Sequence, residues 1–564
     1  NGRFLYPGSF RPDHFYRTAA RKKIGALTLV GDQFVLADEN HIFSQAWAGT
    51  VFITTPFPQV SHLAGDRDFI FMVSDGKQLA FLQNDRVLWK ENHAADPILD
   101  IRYGHGYFWV LKKTGVFRCS NTAPRLTAVV RGEQFTAFDA GHETLFIGTN
   151  HGYIAHDLLS GKSETFTRIP AHGITAVKVL GDKVWFGTLQ GAFAVKPGQS
   201  VDYYNGERWL PSNAVIHIEE GPENSVLILT DKGLGQIHFQ PMTLAEKAAF
   251  FGRQGRSRHI RNGFNATLTG MEKGNPDTGY LSDSDNDGLW TSMYLGAEAF
   301  RYAVTRDRQA LQNCRESLEA MERLYSINPV PGFPARSFER SGYIPSLADP
   351  PRWQNAADPE WSWKATTSSD EAIGHLFVFG VLAELIDDTE IRNKAVLLMD
   401  TLMSHILKND LYLVDYDGKP TQWGKWNPAY VNGFPTNVGD RKLNSSNIIA
   451  MLQTAYHFTG KEKYRKKALE LLNEHGYFEN LMRPMKEIGS TPEGGDSYAQ
   501  MLSEAWNHSD DEMYFLGYWG LYRYALNDAL KAAYRETILD HWEAERPEKD
   551  GLWNIFAALT GTRD

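Results

Sequence analysis

The 564-residue chain holds only two cysteines, Cys119 and Cys314. They fall in different halves, so neither a disulfide framework nor a thiolate zinc cage can be built from them. Apolar runs of about eighteen residues are also missing, which excludes a membrane-spanning helix. Net charge is −10 and the 58 Lys and Arg residues are scattered. A nucleic-acid partner would need a basic patch or stripe, and none is present. No phosphate-binding loop, nucleophile elbow or HExxH motif occurs. The chain begins at Asn1 without a charged n-region or an apolar h-region. A start without Met is read as a leader already removed, which leads us to expect a periplasmic or extracellular protein. What is present is an ordinary folding composition, 42% hydrophobic and 13% aromatic, in a chain long enough for two large domains.

From about residue 20 to residue 240 one phrase recurs: a short apolar run, a Gly or Asp turn, an apolar-aromatic run, a second turn and a further strand. Copies lie at Ile24 to Ile42, Ile98 to Phe117, Ile174 to Val195 and Val215 to Ile237. Alternating strands at this spacing predict small sheets stacked radially, because one such sheet cannot bury both faces alone. Six or seven blades fit the length. ValTrpPheGlyThr at 184–188 and LeuPheIleGlyThrAsnHisGlyTyrIle at 145–154 resemble the repeats of the two-component-regulator propeller family, and that resemblance implies a β-propeller scaffold without implying chemistry. The segment PheLeuTyrProGlySerPhe at 4–10 is expected to supply a ring-closing strand.

Near Pro241 the hydrophobic period changes from two to about 3.6. The expected division is therefore a β-propeller over 1–240 and a helical domain over 241–564. The second half repeats a pair in which a helix apolar nearly all round precedes an amphipathic, charged one. The pairs are Leu289 to Val304 with Gln309 to Tyr325, Glu371 to Ile386 with Glu390 to Leu407, Ile448 to Phe458 with Lys461 to His475, and Glu512 to Ala525 with Leu530 to Trp542. Helices apolar all round are buried and amphipathic ones face solvent. With a further helix at about 245–262 and the C-terminal TrpAsnIlePheAlaAla, five or six hairpins would make an (α/α) toroid. Its long links, 326–367 and 408–443, are rich in Pro, Gly and Trp, and loops of that length usually carry function.

The four inner helices open with similar polar clusters: AspSerAspAsnAspGly at 283–288, SerSerAspGlu at 368–371, AsnSerSerAsn at 444–447 and HisSerAspAspGlu at 508–512. Parallel inner helices would bring these openings to one mouth. Ser, Asp and Asn are also favoured N-caps, and acids suit the first turn, so capping alone explains any single cluster. It does not require several carboxylates beside histidines and loop aromatics. The catalytic candidates are therefore Asp285, Asp287, Asp370, Glu371, His375, His508, Asp511 and Glu512. Grouped carboxylates raise one another's pKa, and a protonated acid facing a carboxylate is the machinery of glycoside hydrolysis. Trp290, Trp353, Trp361, Trp363, Trp423, Trp426 and Trp506 are rim candidates, since sugar rings stack on aromatic faces. Tyr343, Arg336, Lys364 and Asn444 complete the expected substrate-binding set.

AspGlyLeuTrpThrSerMetTyr at 287–294 resembles the catalytic Asp placed ahead of an inner helix in the six-hairpin glycosidase superfamily, the unsaturated uronyl hydrolases in particular. The resemblance implies Asp287 or Asp285 as one catalytic carboxylate, and Asp370, Glu371 or Asp511 as the second. The expected function is hydrolysis of an acidic or complex oligosaccharide or polysaccharide. One alternative is β-elimination at a uronic acid, with His375 or His508 as base and Arg336, Tyr343 or Lys364 steadying the developing charge. Another is a non-enzymatic glycan-binding or sensory protein. AspSerAspAsnAspGly also resembles the start of a calcium loop, but position twelve is Tyr294 where a bidentate Glu is needed, which argues against an EF-hand. Calcium completed by ligands from elsewhere, or another divalent ion on His and carboxylates, stays open; no cofactor is demanded. Oligomeric state is left open.

Overall fold

The computed structural model describes residues 23–31, 33–44, 51–83, 86–122, 125–272, 275–433, 438–488, 497 and 508–562. The proposed closing strand at 4–10 lies outside them. The chain separates into two compact units, Asn1–Met242 with Glu272–Asp277, and Thr243–Met271 with Thr278–Asp564.

The first unit is propeller-like. Five four-stranded antiparallel sheets and one three-stranded sheet follow one another along the chain, each pairing its strands in sequence order. Five apolar clusters lie at the successive sheet-to-sheet interfaces, so each sheet completes its neighbour's core. The glycine of the recurring phrase has a packing reason. A Cβ on Gly148 would lie 2.4 Å from Ile174, and one on Gly187 would lie 2.5 Å from Val215, in each case at the start of the following sheet. The opening strands of all six sheets line a cavity of about 820 Å³. Its charges are paired within the wall, Arg102 with Asp100 at 2.9 Å and Asp139 at 3.1 Å, and Lys178 with Glu219 at 2.6 Å.

The second unit is helical. Its helices are α1 (Leu244–Arg258), α2 (Asp287–Thr305), α3 (Arg308–Ser326), α4 (Ser369–Leu385), α5 (Thr389–Lys408), α6 (Pro428–Gly433), α7 (Val438–Thr459), α8 (Glu462–Glu474), α9 (Tyr477–Leu481), α10 (His508–Arg523), α11 (Asp528–Glu545) and α12 (Gly551–Ala558). Amphipathic pattern decides which face is buried. In α3 the stripe Ala310, Cys314, Leu318, Met321 and Leu324 turns inward, whereas α4 is buried nearly all round.

The inner helices α2, α4, α7 and α10 run parallel. Gly288 on α2 meets Glu371 and His375 on α4, and Gly296 meets Phe377. Tyr302, at the far end of α2, donates to Asp387 just beyond α4 at 2.5 Å. Gly517 on α10 meets Asn447 on α7 and Ile373 on α4, and Gly520 meets Ala450 and Thr454. Matched positions advance along all four helices in one direction, so their N-termini share one end. Below that end Phe300, Phe377, Trp519 and Phe556, from α2, α4, α10 and α12, fill the interior with ring centroids 5.4–6.4 Å apart.

Two expectations need correction. AsnSerSerAsn at 444–447 does not open its helix, because α7 starts at Val438. Its polar side chains are nonetheless buried. The long links are also not plain loops. Ser337–Arg340, Trp361–Lys364 and Trp353–Asn355 form a small antiparallel sheet, and Tyr412–Val414 pairs with Pro420–Lys425.

Candidate active site

Three of the outer helices, α3, α5 and α11, are capped by the side chain of their own N-cap residue. Asp307 accepts from the Gln309 N–H, Asp388 from Ile391 and Asn527 from Leu530. The N-cap residues of α2 and α4, Asn286 and Ser368, make no such bond. They turn to one another instead: Ser368 Oγ donates to Asn286 Oδ1 at 2.8 Å, and Arg336 Nη2 donates to the same oxygen at 2.9 Å. That fixes the Asn286 amide so that its Nδ2 donates to Asp370 Oδ2 at 3.0 Å. Capping of α2 is done from the neighbouring helix, since the Gly288 N–H donates to Glu371 Oε1 at 3.0 Å.

Around these two adjacent openings the structure brings together Asp285, Asp287, Asp370, Glu371, His375, Arg336 and Lys364. They fall into two sets. Asp287 is fully buried; Arg261 reaches it at 2.5 Å, Ser337 Oγ at 2.5 Å and the Ser284 N–H at 3.0 Å. Burial pushes its carboxyl above the usual range, against the pull of Arg261. Glu371 and His375 are also fully buried, 3.2 Å apart, and the Tyr325 hydroxyl lies 2.6 Å from His375 Nδ1. Burial raises Glu371 as well, opposed by His375 and the Gly288 N–H. Lys364 is held by Asp283 at 2.9 Å and Asp349 at 3.2 Å. Asp287, Glu371, His375 and Lys364 are thus buried side chains engaged by neighbours within the fold.

Asp285 and Asp370 form the second set. Asp285 is exposed and takes no hydrogen bond or ion pair from the described residues, and Asp370 is half-buried. Burial raises the Asp370 carboxyl above the usual range; Arg336 opposes this, while the nearby charge of Asp285 adds to it. Arg336 is buried and makes no ion pair among the described residues, although Glu371, Asp285 and Asp370 all act on its charge. A carboxyl with a raised pKa beside a second, exposed acid is a pairing that acid–base chemistry can use.

Asp511, in the first turn of α10, is engaged by α11. His541 Nε2 lies 3.1 Å from its Oδ1, in a buried network that continues through His541 Nδ1 to the Tyr518 hydroxyl at 2.8 Å. Glu512 shares the first turn of α10. The side chain of His508, and Trp506 entirely, lie outside the described residues. Asn444 is buried in α7.

The aromatics divide in the same way. Trp363 and Trp426 belong to the hydrophobic core and offer no face to a sugar, which corrects the expectation made for both. Trp361 has the guanidinium groups of Arg323 and Arg340 3.8 and 4.3 Å from its ring centroid, where a sugar would otherwise stack. Tyr343 and Trp423 are open, at 64% and 54% exposure, and Trp290 and Trp353 are partly so. The calcium reading is also corrected: two of the alternating carboxylates, Asp283 and Asp287, are already bound by Lys364 and Arg261. Sequence reasoning missed Arg261, Asn286, Ser337 and Tyr325, which position the acids. Only Asn286 carried a signal, as part of the 283–288 cluster.

Among the described residues no helix is long and apolar enough to cross a membrane. No protein-family model matches the chain, and no curated protein matches it. Solved structures that match include the extracellular domain of the hybrid two component system BT4673 from B. thetaiotaomicron, at 14% identity and TM-score 0.34 over 39% of this chain and 33% of that one. A streptogramin B lyase matches at 14% identity and TM-score 0.32 over 38% and 78%, and BamB from Moraxella catarrhalis at 12% and 0.29 over 38% and 70%. This chain therefore spans about a third of the BT4673 domain. Scores this low carry no functional argument, and the propeller-like assignment rests on the sheet order itself.

Proposed function

We propose that the helical unit is an (α/α) toroid enzyme that hydrolyses glycosidic bonds of an acidic or complex oligosaccharide, in the periplasm or outside the cell. Asp370 is the general acid and Asp285 the carboxylate that activates water or attacks carbon. The observation that supports this most is the division of the acids at the α2 and α4 openings: the buried ones are bound from behind, and the raised carboxyl of Asp370 is left beside exposed Asp285.

The roles follow from the geometry. Asp370 in its protonated form gives its proton to the leaving oxygen, and Asn286 steadies the carboxylate that results, its amide held by Arg336 and Ser368. Asp285, exposed at the opening, works on the other side of the sugar. Tyr343 and Trp423 supply stacking faces. Elimination with His375 as base is disfavoured, because both ring nitrogens face inward, to Tyr325 and to Glu371.

Digestion of a panel of uronate-containing and neutral polysaccharides tests the reading. New reducing ends without a new ultraviolet-absorbing double bond are expected. A product with that double bond overturns hydrolysis, and tight binding without turnover across the panel overturns the enzyme.

A further inference from the structure

The cluster between α10 and α11 takes no part in the reaction proposed above. We propose that Asp511, His541 and Glu545 form a binding site for one divalent transition-metal ion, Zn²⁺ or Mn²⁺ in character, that ties the opening of α10 to α11.

The placement comes from helix geometry alone. His541 and Glu545 are four residues apart on one face of α11, and Asp511 projects from the first turn of α10. One ligand atom from each lies within 4.8 Å of the others, a spacing that three donors around a shared ion can close to bonds of about 2.0–2.2 Å. All three side chains are buried, at 3%, 0% and 3% exposure. Charge–charge attraction between carboxylates and a cation is strongest in such a setting.

The imidazole is oriented for ligation. The Tyr518 hydroxyl engages Nδ1 at 2.8 Å, which leaves Nε2 as the nitrogen facing Asp511. A partner on the far nitrogen is the arrangement that fixes a metal-bound histidine. Lys442, nearby, is held by the carbonyls of Leu481 and Arg483 and by Thr537 Oγ1. One nitrogen and two carboxylates suit Zn²⁺ or Mn²⁺, whereas Ca²⁺ calls for six to eight oxygens and Cu⁺ for sulfur.

The test uses the full chain stripped with EDTA and then titrated with Zn²⁺ or Mn²⁺. Metal content, thermal midpoint and, with Co²⁺ as a spectroscopic probe, visible d–d bands are recorded. One ion per chain is expected, with a raised midpoint. His541→Gln and Glu545→Gln should weaken binding by more than the roughly 10–100-fold that loss of an outer partner costs. Asp370→Asn should bind metal as the parent does, which separates this site from the hydrolytic one. Absence of saturable binding by the stripped parent chain at millimolar metal overturns the proposal, and this arm needs no variant to fold. Unchanged stoichiometry and affinity in both Gln variants overturns it equally.

Discussion

The openings of α2 and α10 are both rich in Ser and Asp, yet their acids meet different partners. At α2 and its neighbour α4 the buried acids are taken up by Arg261, Lys364 and a peptide N–H, and Asp285 and Asp370 remain towards solvent. At α10, Asp511 turns inward to a histidine on the next helix. Neither residue type nor position at a helix start separates an acid left towards solvent from one tied up within the fold. What separates them is whether a partner from a distant segment reaches the carboxylate. Arg261 lies 26 residues from Asp287, and Lys364 lies 81 residues from Asp283.

The contrast can be broken at several points. Arg261→Met leaves Asp287 buried without its cation and should cost about 3–5 kcal/mol, read as a lowered midpoint in urea. A loss below about 1 kcal/mol would show that Asp287 is not held as described. Gly288→Ala places a methyl 2.1 Å from Glu371 and 2.3 Å from His375. Overpacking of this kind should destabilise by about 1–3 kcal/mol, and an unchanged thermal midpoint would contradict the close approach of α2 to α4.

Arg336→Gln sharpens the contrast through pH. The raised Asp370 carboxyl stays protonated to higher pH than a free one, so kcat/KM falls as pH rises through that value. Arg336 pulls the pKa down; without it the alkaline limb should move to higher pH, and movement to lower pH contradicts the assignment of Asp370. Trp423→Ala, at an exposed ring, should leave stability within about 0.5 kcal/mol and raise KM several-fold. An unchanged KM removes Trp423 from the substrate path.

Much of the architecture was legible because periodicity reports burial. The period-two phrases marked strands that the structure forms, and α4, apolar on every side, was recognisably an inner helix. The start of α7 was read ten residues late. Its run Asp440 to Asn447 is polar and looks like a loop, but Lys442, Asn444, Ser445, Ser446 and Asn447 are buried, and Lys442 finds three oxygen acceptors in the folded chain. The burial of Trp363 was hidden in the same way, since Ser362 and Lys364 beside it are polar yet themselves buried. His541 and Glu545 went unnoticed because they lie on an outer helix expected to face solvent. In each case the missing information is a long-range partner, which local pattern does not encode.

The most direct measurement compares Asp370→Asn with Asp287→Asn, recording turnover on a cleaved oligosaccharide and thermal midpoint for both. Asp370→Asn should lose roughly 10²–10⁴-fold in kcat with its midpoint kept, whereas Asp287→Asn should lose midpoint first. Full turnover in Asp370→Asn, or loss of turnover confined to Asp287→Asn with an intact fold, would contradict the assignment of Asp370 as the general acid.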